Sequence, residues 1–178
     1  MRTRRLLAAI IIIAALPASL AFAGGAGGVG FGMQYFDAGL SSADRQAEYV
    51  TGFGYGVTWQ GQRIGGFGMG ILSADGVTAG GVGGMVLGQE WKGGPFTAAI
   101  SLWTGLGGIS LHDVPSRRAY GIVFGEAEAE IGIRPVPFMQ VVAYAGFQAW
   151  GNFVPGLMFR SAVLTTPVFG FRVSWGAF

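Results

Sequence analysis

The sequence ends in TPVFGFRVSWGAF, residues 166–178, and this segment gives the clearest indication of the fold. Bulky apolar residues occupy every second position, at Phe169, Phe171, Val173 and Trp175. The intervening positions hold Gly170, Arg172 and Ser174. A period of two predicts a β-strand with one bulky apolar face and one small or polar face. We expect this strand to span residues 161–178 and to close a β-barrel whose apolar face meets lipid.

The segment resembles the C-terminal assembly signal of bacterial outer-membrane barrel proteins. In that signal the terminal aromatic residue is in phase with the alternating apolar positions, whereas Phe178 is one residue out of phase. Two interpretations follow: the signal ends at Trp175, or a bulge lies between Trp175 and the end. The resemblance implies that the barrel assembly machinery is a partner.

The N-terminal residues 1–23 have the three regions of a secretory signal peptide. Arg2, Arg4 and Arg5 form the basic region, residues 6–16 form an apolar core, and Ala21-Phe22-Ala23 matches the cleavage pattern. The alternative is a single membrane anchor, for which the apolar run is short. We expect cleavage after Ala23, which leaves a barrel domain of residues 24–178.

Composition excludes several classes of function. Without three N-terminal arginines the 11 basic residues become 8, against 9 acidic residues, so the net charge is −1 and gives no support for nucleic-acid binding. The chain has no cysteine and one histidine, which excludes disulfides, thiolate metal sites and histidine clusters. We therefore expect neither a cofactor nor a metal site. Glycine is abundant, at 34 residues, yet the chain is 51% hydrophobic and so is not a disordered segment.

Alternation and turn residues predict eight strands. Their expected ranges are 28–37, 48–60, 63–72, 77–91, 96–111, 119–133, 138–149 and 161–178. Three of the odd-numbered connections are long, and all of the even-numbered ones are short, as in barrels with short periplasmic turns. The predicted fold is therefore all-β: an eight-stranded antiparallel up-and-down transmembrane β-barrel.

The alternative is a soluble periplasmic β-barrel that binds a hydrophobic ligand, with bulky residues inside and glycine rows outside. In strands two and three such outward glycines would weaken the sheet for no gain. Of the 17 charges after residue 23, 13 lie in or beside loops and turns, which favours a lipid-facing wall. The aromatic residues near strand ends suggest interfacial girdles, namely Tyr35, Tyr49, Trp59, Trp91 and Trp175.

The most unusual polar group is Glu126, Glu128 and Glu130, which share one strand face about 7 Å apart. Ile122 and Phe124 have the same parity as the glutamates, which leaves a bulge near Gly125 open as an alternative to unbroken pairing. Arg172 is the natural partner, which predicts a lumenal polar network that fills the barrel. The functional alternative is a cation-selective lining.

An enzyme is a second alternative, because some eight-stranded outer-membrane barrels are lipid A-modifying hydrolases. The candidate residues are Ser110, His112, Asp113 and Ser116. Adjacent strand residues point to opposite faces, so His112 and Asp113 are not oriented for a triad. We therefore expect no enzymatic activity.

Taken together, the pattern resembles the class of the OmpA transmembrane domain, OmpX and OmpW. The resemblance implies an exported monomer in the cell outer membrane, in contact with outer-membrane lipids. It also implies a structural or surface-interaction role, or a narrow pore.

Overall fold

The computed structural model describes residues 22–36, 45–74, 77–111, 119–152 and 163–178. These ranges form eight strands: β1 (Phe22–Phe36), β2 (Arg45–Thr58), β3 (Gln62–Ala74), β4 (Val77–Gly93), β5 (Phe96–Leu111), β6 (Ala119–Val136), β7 (Met139–Asn152) and β8 (Val163–Ala177). Each strand pairs with its sequence neighbours, and β1 pairs antiparallel with β8, so the sheet closes on itself. The predicted eight-stranded antiparallel barrel is confirmed. No helix in the described ranges is long and apolar enough to cross a membrane.

Strands of 13 to 18 residues exceed the length of about 9–11 residues that a tilted membrane strand requires. The short turns use glycine where the backbone must be left-handed. Gly61, between β2 and β3, has a φ of 83°, and Gly94, between β4 and β5, has a φ of 62°. Residues with a Cβ rarely adopt this conformation, which explains the two glycines at the tight turns.

The start of β1 bears on the predicted signal peptide. The strand begins at Phe22, ahead of the expected cleavage after Ala23, but the register with β2 shifts between Phe22 and Gly24. The regular ladder therefore begins at Gly24. Residues 1–21 lie outside the described ranges, and cleavage stays a prediction.

Strand β6 excludes one alternative and corrects one expectation. The alternative of a bulge near Gly125 is wrong, since β6 pairs in unbroken register with β5 along this stretch. Ile122 and Phe124 share the glutamates' parity because they also point inward, where they are buried. The strand also continues beyond residue 133 to Val136, and its register with β7 shifts between Ile133 and Val136. Pro135 is tolerated at this irregular strand end because no regular ladder needs its N–H.

The inward and outward faces differ between strands. In β8 the bulky residues Phe169 and Phe171 are exposed on the outer wall, and Arg172 is buried inside. In β2 and β3 the bulky residues point inward and the glycine rows point outward. The expectation that outward glycine rows would count against a soluble barrel is therefore wrong, because the rows do face outward. The physical reason is that the interior of an eight-stranded barrel must be filled, and β2 and β3 supply the large side chains for their sector.

The aromatic residues follow the girdle prediction only in part. Trp59, Trp91 and Trp175 lie near the turns and are exposed on the outer surface. Tyr49 is instead buried in the lumen, where its hydroxyl lies 3.0 Å from that of Tyr144. The assignment of Tyr49 to a girdle is wrong because β2 turns its bulky face inward. The prediction for Tyr35 concerns a side chain outside the described part of the structure.

The two interpretations of Phe178 are resolved by the pairing of the last strand. β8 pairs with β1 and with β7 without any register shift, so no bulge intervenes. Phe178 follows the end of β8 and packs, partly buried, against a small cluster with Tyr55 and Val57. Trp175 is thus the last aromatic residue on the outer face of β8.

Candidate functional site

Charged side chains from four strands meet inside the barrel, and we call them the lumenal ion cluster. The cluster consists of Arg63 (β3), Glu90 (β4), Glu126, Glu128 and Glu130 (β6), and Arg172 (β8). Each residue is exposed by at most 6%. Strand alternation explains this placement, because residues at every second position of a barrel strand face the lumen.

Arg172 makes the central contacts of the cluster. Its two terminal nitrogens donate to the two carboxylate oxygens of Glu128, with a distance of 2.6 Å from Nη2 to Oε2. Nη1 also lies 3.4 Å from Glu130 Oε1, and Nη2 lies 3.7 Å from Glu126 Oε1. The structure thus places all three glutamates on β6 within 4 Å of Arg172, but only Glu128 has the bidentate geometry of a strong pair.

Arg63 is a second cation of the cluster, which the sequence analysis did not select. It donates from Nε to Glu90 Oε2 at 2.7 Å and from Nη1 to Glu130 Oε2 at 2.6 Å. Arg63 and Glu90 flank tight turns, so their positions in the sequence predict turn charges rather than lumenal ones. Their parity could have revealed them, because Arg63 shares the inward face of Phe67 and Met69 on β3.

Aromatic rings and neutral donors complete the surroundings of the charges. The Arg172 guanidinium lies 3.8 Å from the ring centre of Tyr144 and 4.2 Å from that of Trp103. Trp103 Nε1 donates to Glu128, and Ser101 Oγ donates to Glu130 Oε1 at 2.8 Å. Cation–π contacts and hydrogen bonds of this kind offset part of the cost of removing charges from water.

The lumen at the level of the cluster is nearly full. A cavity remains there, with a volume of about 10 Å³, between Arg63, Glu130, Arg172 and the neighbouring rings. A single water needs about 10–15 Å³ of such space, so this cavity has room for at most about one water. A second layer of buried rings packs beside it, and the ring centres of Phe124 and Trp150 are 4.9 Å apart.

The cluster is not electrically balanced. Counted with every group ionised, the four carboxylates (−4) and the two guanidinium groups (+2) have a formal sum of −2. Lys92 lies at the rim, with Nζ 3.4 Å from Glu90 Oε1, and reduces the sum to −1. This count covers only those side chains that the structure describes.

The other candidate sites from the sequence are a hydrolase site and a metal site. Ser110 lies in β5, whereas His112, Asp113 and Ser116 of the hydrolase hypothesis lie outside the described residues. Within the described ranges, no group of three or more His, Cys, Asp or Glu side chains is arranged to hold a metal ion.

Comparison with known proteins gives a likeness of fold. No protein-family model matches the chain. No curated protein matches it either. Among solved structures, the N-terminal β-barrel domain of Pseudomonas aeruginosa OprF is similar, with 12% identity and a TM-score of 0.56, over 85% of this chain and 96% of that one.

Neisserial surface protein A (NspA) is also similar, with 10% identity, a TM-score of 0.61 and the same coverage of 85% and 96%. The TM-scores indicate a shared architecture, but at identities this low no residue of this chain can be equated with a residue of either protein. The chain therefore has the same fold as these two barrels.

Proposed function

We propose that this protein is a non-enzymatic outer-membrane barrel with a closed lumen, which serves a structural or surface-interaction role. The observation that carries the proposal is the filled interior. The ion cluster and the rings beside it leave a cavity of about 10 Å³ at the level where a pore would have to pass. A barrel of this kind acts through its outer wall and its loops, and it does not conduct ions through its lumen.

The outer wall supports a membrane location. Large apolar side chains are exposed on the outer face of several strands, for example Leu102 at 50%, Ile131 at 71% and Phe171 at 65%. The charges in the middle of β6 and β8 point into the lumen instead. Burying the outer side chains in hydrocarbon is favourable, whereas an arginine or lysine on the lipid face at mid-membrane costs about 2–4 kcal/mol.

The surface-interaction role has weaker support, from the fold likeness to NspA, which is named as a surface protein. Export with cleavage after Ala23, insertion by the barrel assembly machinery, contact with outer-membrane lipids and a monomeric state belong to the same proposal. Each rests on the resemblance of the strand pattern to small outer-membrane barrels.

The membrane location is tested by fractionation followed by gel electrophoresis with and without heating. We expect the protein in the outer-membrane fraction, with a mobility that changes on boiling because a closed barrel resists detergent unfolding. Recovery in the soluble periplasmic fraction would contradict the proposal and favour the soluble ligand-binding barrel.

The closed lumen is tested by conductance in planar lipid bilayers. We expect no conductance steps from the natural sequence. A Glu128→Ala/Arg172→Ala double variant, which removes one carboxylate and one guanidinium from the lumenal ion cluster, should give clear steps. Arg134→Ala, near the end of β6, is the matched control and should remain silent. Steps from the natural sequence as large as those of the double variant would show a pore and refute the closed lumen.

A further inference from the structure

Within the described part of the barrel, four buried oxygen atoms on the loop side of the ion cluster have no hydrogen-bond partner. They are Gln34 Oε1, Glu126 Oε1, Gln148 Oε1 and Thr166 Oγ1. The four residues are between 0% and 4% exposed. Buried polar atoms in native proteins nearly always have a partner, and an ordered water or an ion is the usual explanation when no protein group provides one.

The strand register brings these residues to one sector of the lumen. Gln148 on β7 pairs with Glu126 on β6 and with Thr166 on β8. Gln34 on β1 pairs with Val168, two residues along β8 from Thr166 on the same face. The four side chains thus lie on consecutive strands of the closed barrel, β6, β7, β8 and β1, and are buried inside it.

The charge balance indicates a cation. Counted as ionised, the six side chains of the lumenal ion cluster sum to −2, or −1 with Lys92 at the rim. Glu126 is the least compensated carboxylate of the cluster: its guanidinium contact, to Arg172 Nη2, is 3.7 Å long, and among the described residues its one hydrogen bond comes from Gln148 Nε2 at 2.7 Å. A buried carboxylate with so long a contact to its cation is costly, and one added positive charge would bring the cluster and Lys92 to a formal charge of zero.

From these observations we propose that Glu126, Gln148, Thr166 and Gln34 form a binding site for one hard monovalent cation. The ligands are one carboxylate, two amide oxygens and one hydroxyl, and hard cations prefer such all-oxygen sets. A single carboxylate suits one positive charge, whereas calcium sites provide six to eight oxygens and usually more negative charge. The site rests on the closed lumen of the proposed function, because an open channel would supply water to these oxygens.

The test is thermal unfolding of the full protein in detergent, with a fixed amount of urea, in sodium, lithium, potassium or choline chloride of equal ionic strength. Choline is too large for the site, and equal ionic strength keeps general screening constant. If sodium is present at about 100 times its dissociation constant, we expect an unfolding temperature about 5–10 °C higher than in choline. Glu126→Gln and Gln34→Leu should each abolish this difference.

Gln140→Leu is the matched control. Gln140 is also a fully buried lumenal glutamine, but its amide donates to Thr97 Oγ1 at 2.6 Å, so the variant should keep the sodium effect. Equal unfolding temperatures in all four salts would overturn the proposal and assign the four oxygens to water. An undiminished sodium effect in Glu126→Gln would also overturn it. The closed lumen is tested separately, by conductance in planar bilayers. A negative result for the cation site would therefore not contradict the closed lumen.

Discussion

Replacing Arg172 with Met tests whether the ion cluster holds the barrel together. The substitution keeps an apolar stem of similar length and removes the guanidinium. Glu128 then loses both of its charge-assisted contacts, and Glu126 and Glu130 lose a cation within 4 Å. The rings of Tyr144 and Trp103 also lose their cation–π contacts.

The expected magnitude follows from the burial of the groups. Arg172 and Glu128 are each 5% exposed, so solvent cannot replace the lost contacts. Removing one partner of such a buried pair costs about 3–5 kcal/mol. Arg172→Met/Glu128→Gln removes the orphaned charge as well, so the double variant should recover about 1–3 kcal/mol relative to the sum of the two single losses.

The assay is urea unfolding in detergent micelles, with the folded fraction measured from the heat-sensitive gel band. Arg134→Met is the control, because the Arg134 side chain contacts none of the cluster carboxylates in the described structure and donates to the carbonyl of Gly94 in the β4–β5 turn. Its cost should lie within about 0.5 kcal/mol, as for most surface changes. A loss from Arg172→Met no larger than that of Arg134→Met, or strict additivity in the double variant, would refute the reasoning.

Three further predictions concern processing, closure and packing. Intact-mass measurement of membrane-extracted protein should give Gly24 as the first residue, and a mass that includes Met1 would contradict cleavage. Deletion of residues 173–178 should abolish membrane insertion, because β8 could no longer pair fully with β1 and β7; normal insertion in a fractionation assay would refute closure by β8. Gly32→Ala should destabilise the barrel by about 1–3 kcal/mol in urea, because its Cβ would lie 2.3 Å from Tyr49, whereas Gly68→Ala meets nothing within 4 Å and should be neutral; equal effects would show that the lumen can relax.

Much of the architecture could be predicted from the sequence because it is local. Alternation along 96–111 gives the strand that the structure contains at Phe96–Leu111, and the turn glycines mark where the backbone reverses. The number of strands and their antiparallel order follow from such local signals. Strand ends were less accurate, as at Pro135, since a ladder partner decides whether a proline interrupts pairing.

The facing of β2 and β3 could not be predicted in the same way. A period of two separates Phe67 from Gly68 but does not say which of them meets the lumen. The choice depends on how much volume the other strands leave to be filled, and that is a property of the closed barrel. In β8 the alternation carries Arg172 on the small face, and this charge identifies the inner side.

The partners of the charges were likewise decided by tertiary structure. The sequence singled out Glu126, Glu128, Glu130 and Arg172 because three carboxylates on one strand face need a cation. It did not indicate that Arg63, 67 residues away from Glu130 in the chain, would supply a second one at 2.6 Å. Strand alternation determines which side of the wall a side chain occupies, but only barrel closure determines which side chains meet across the lumen.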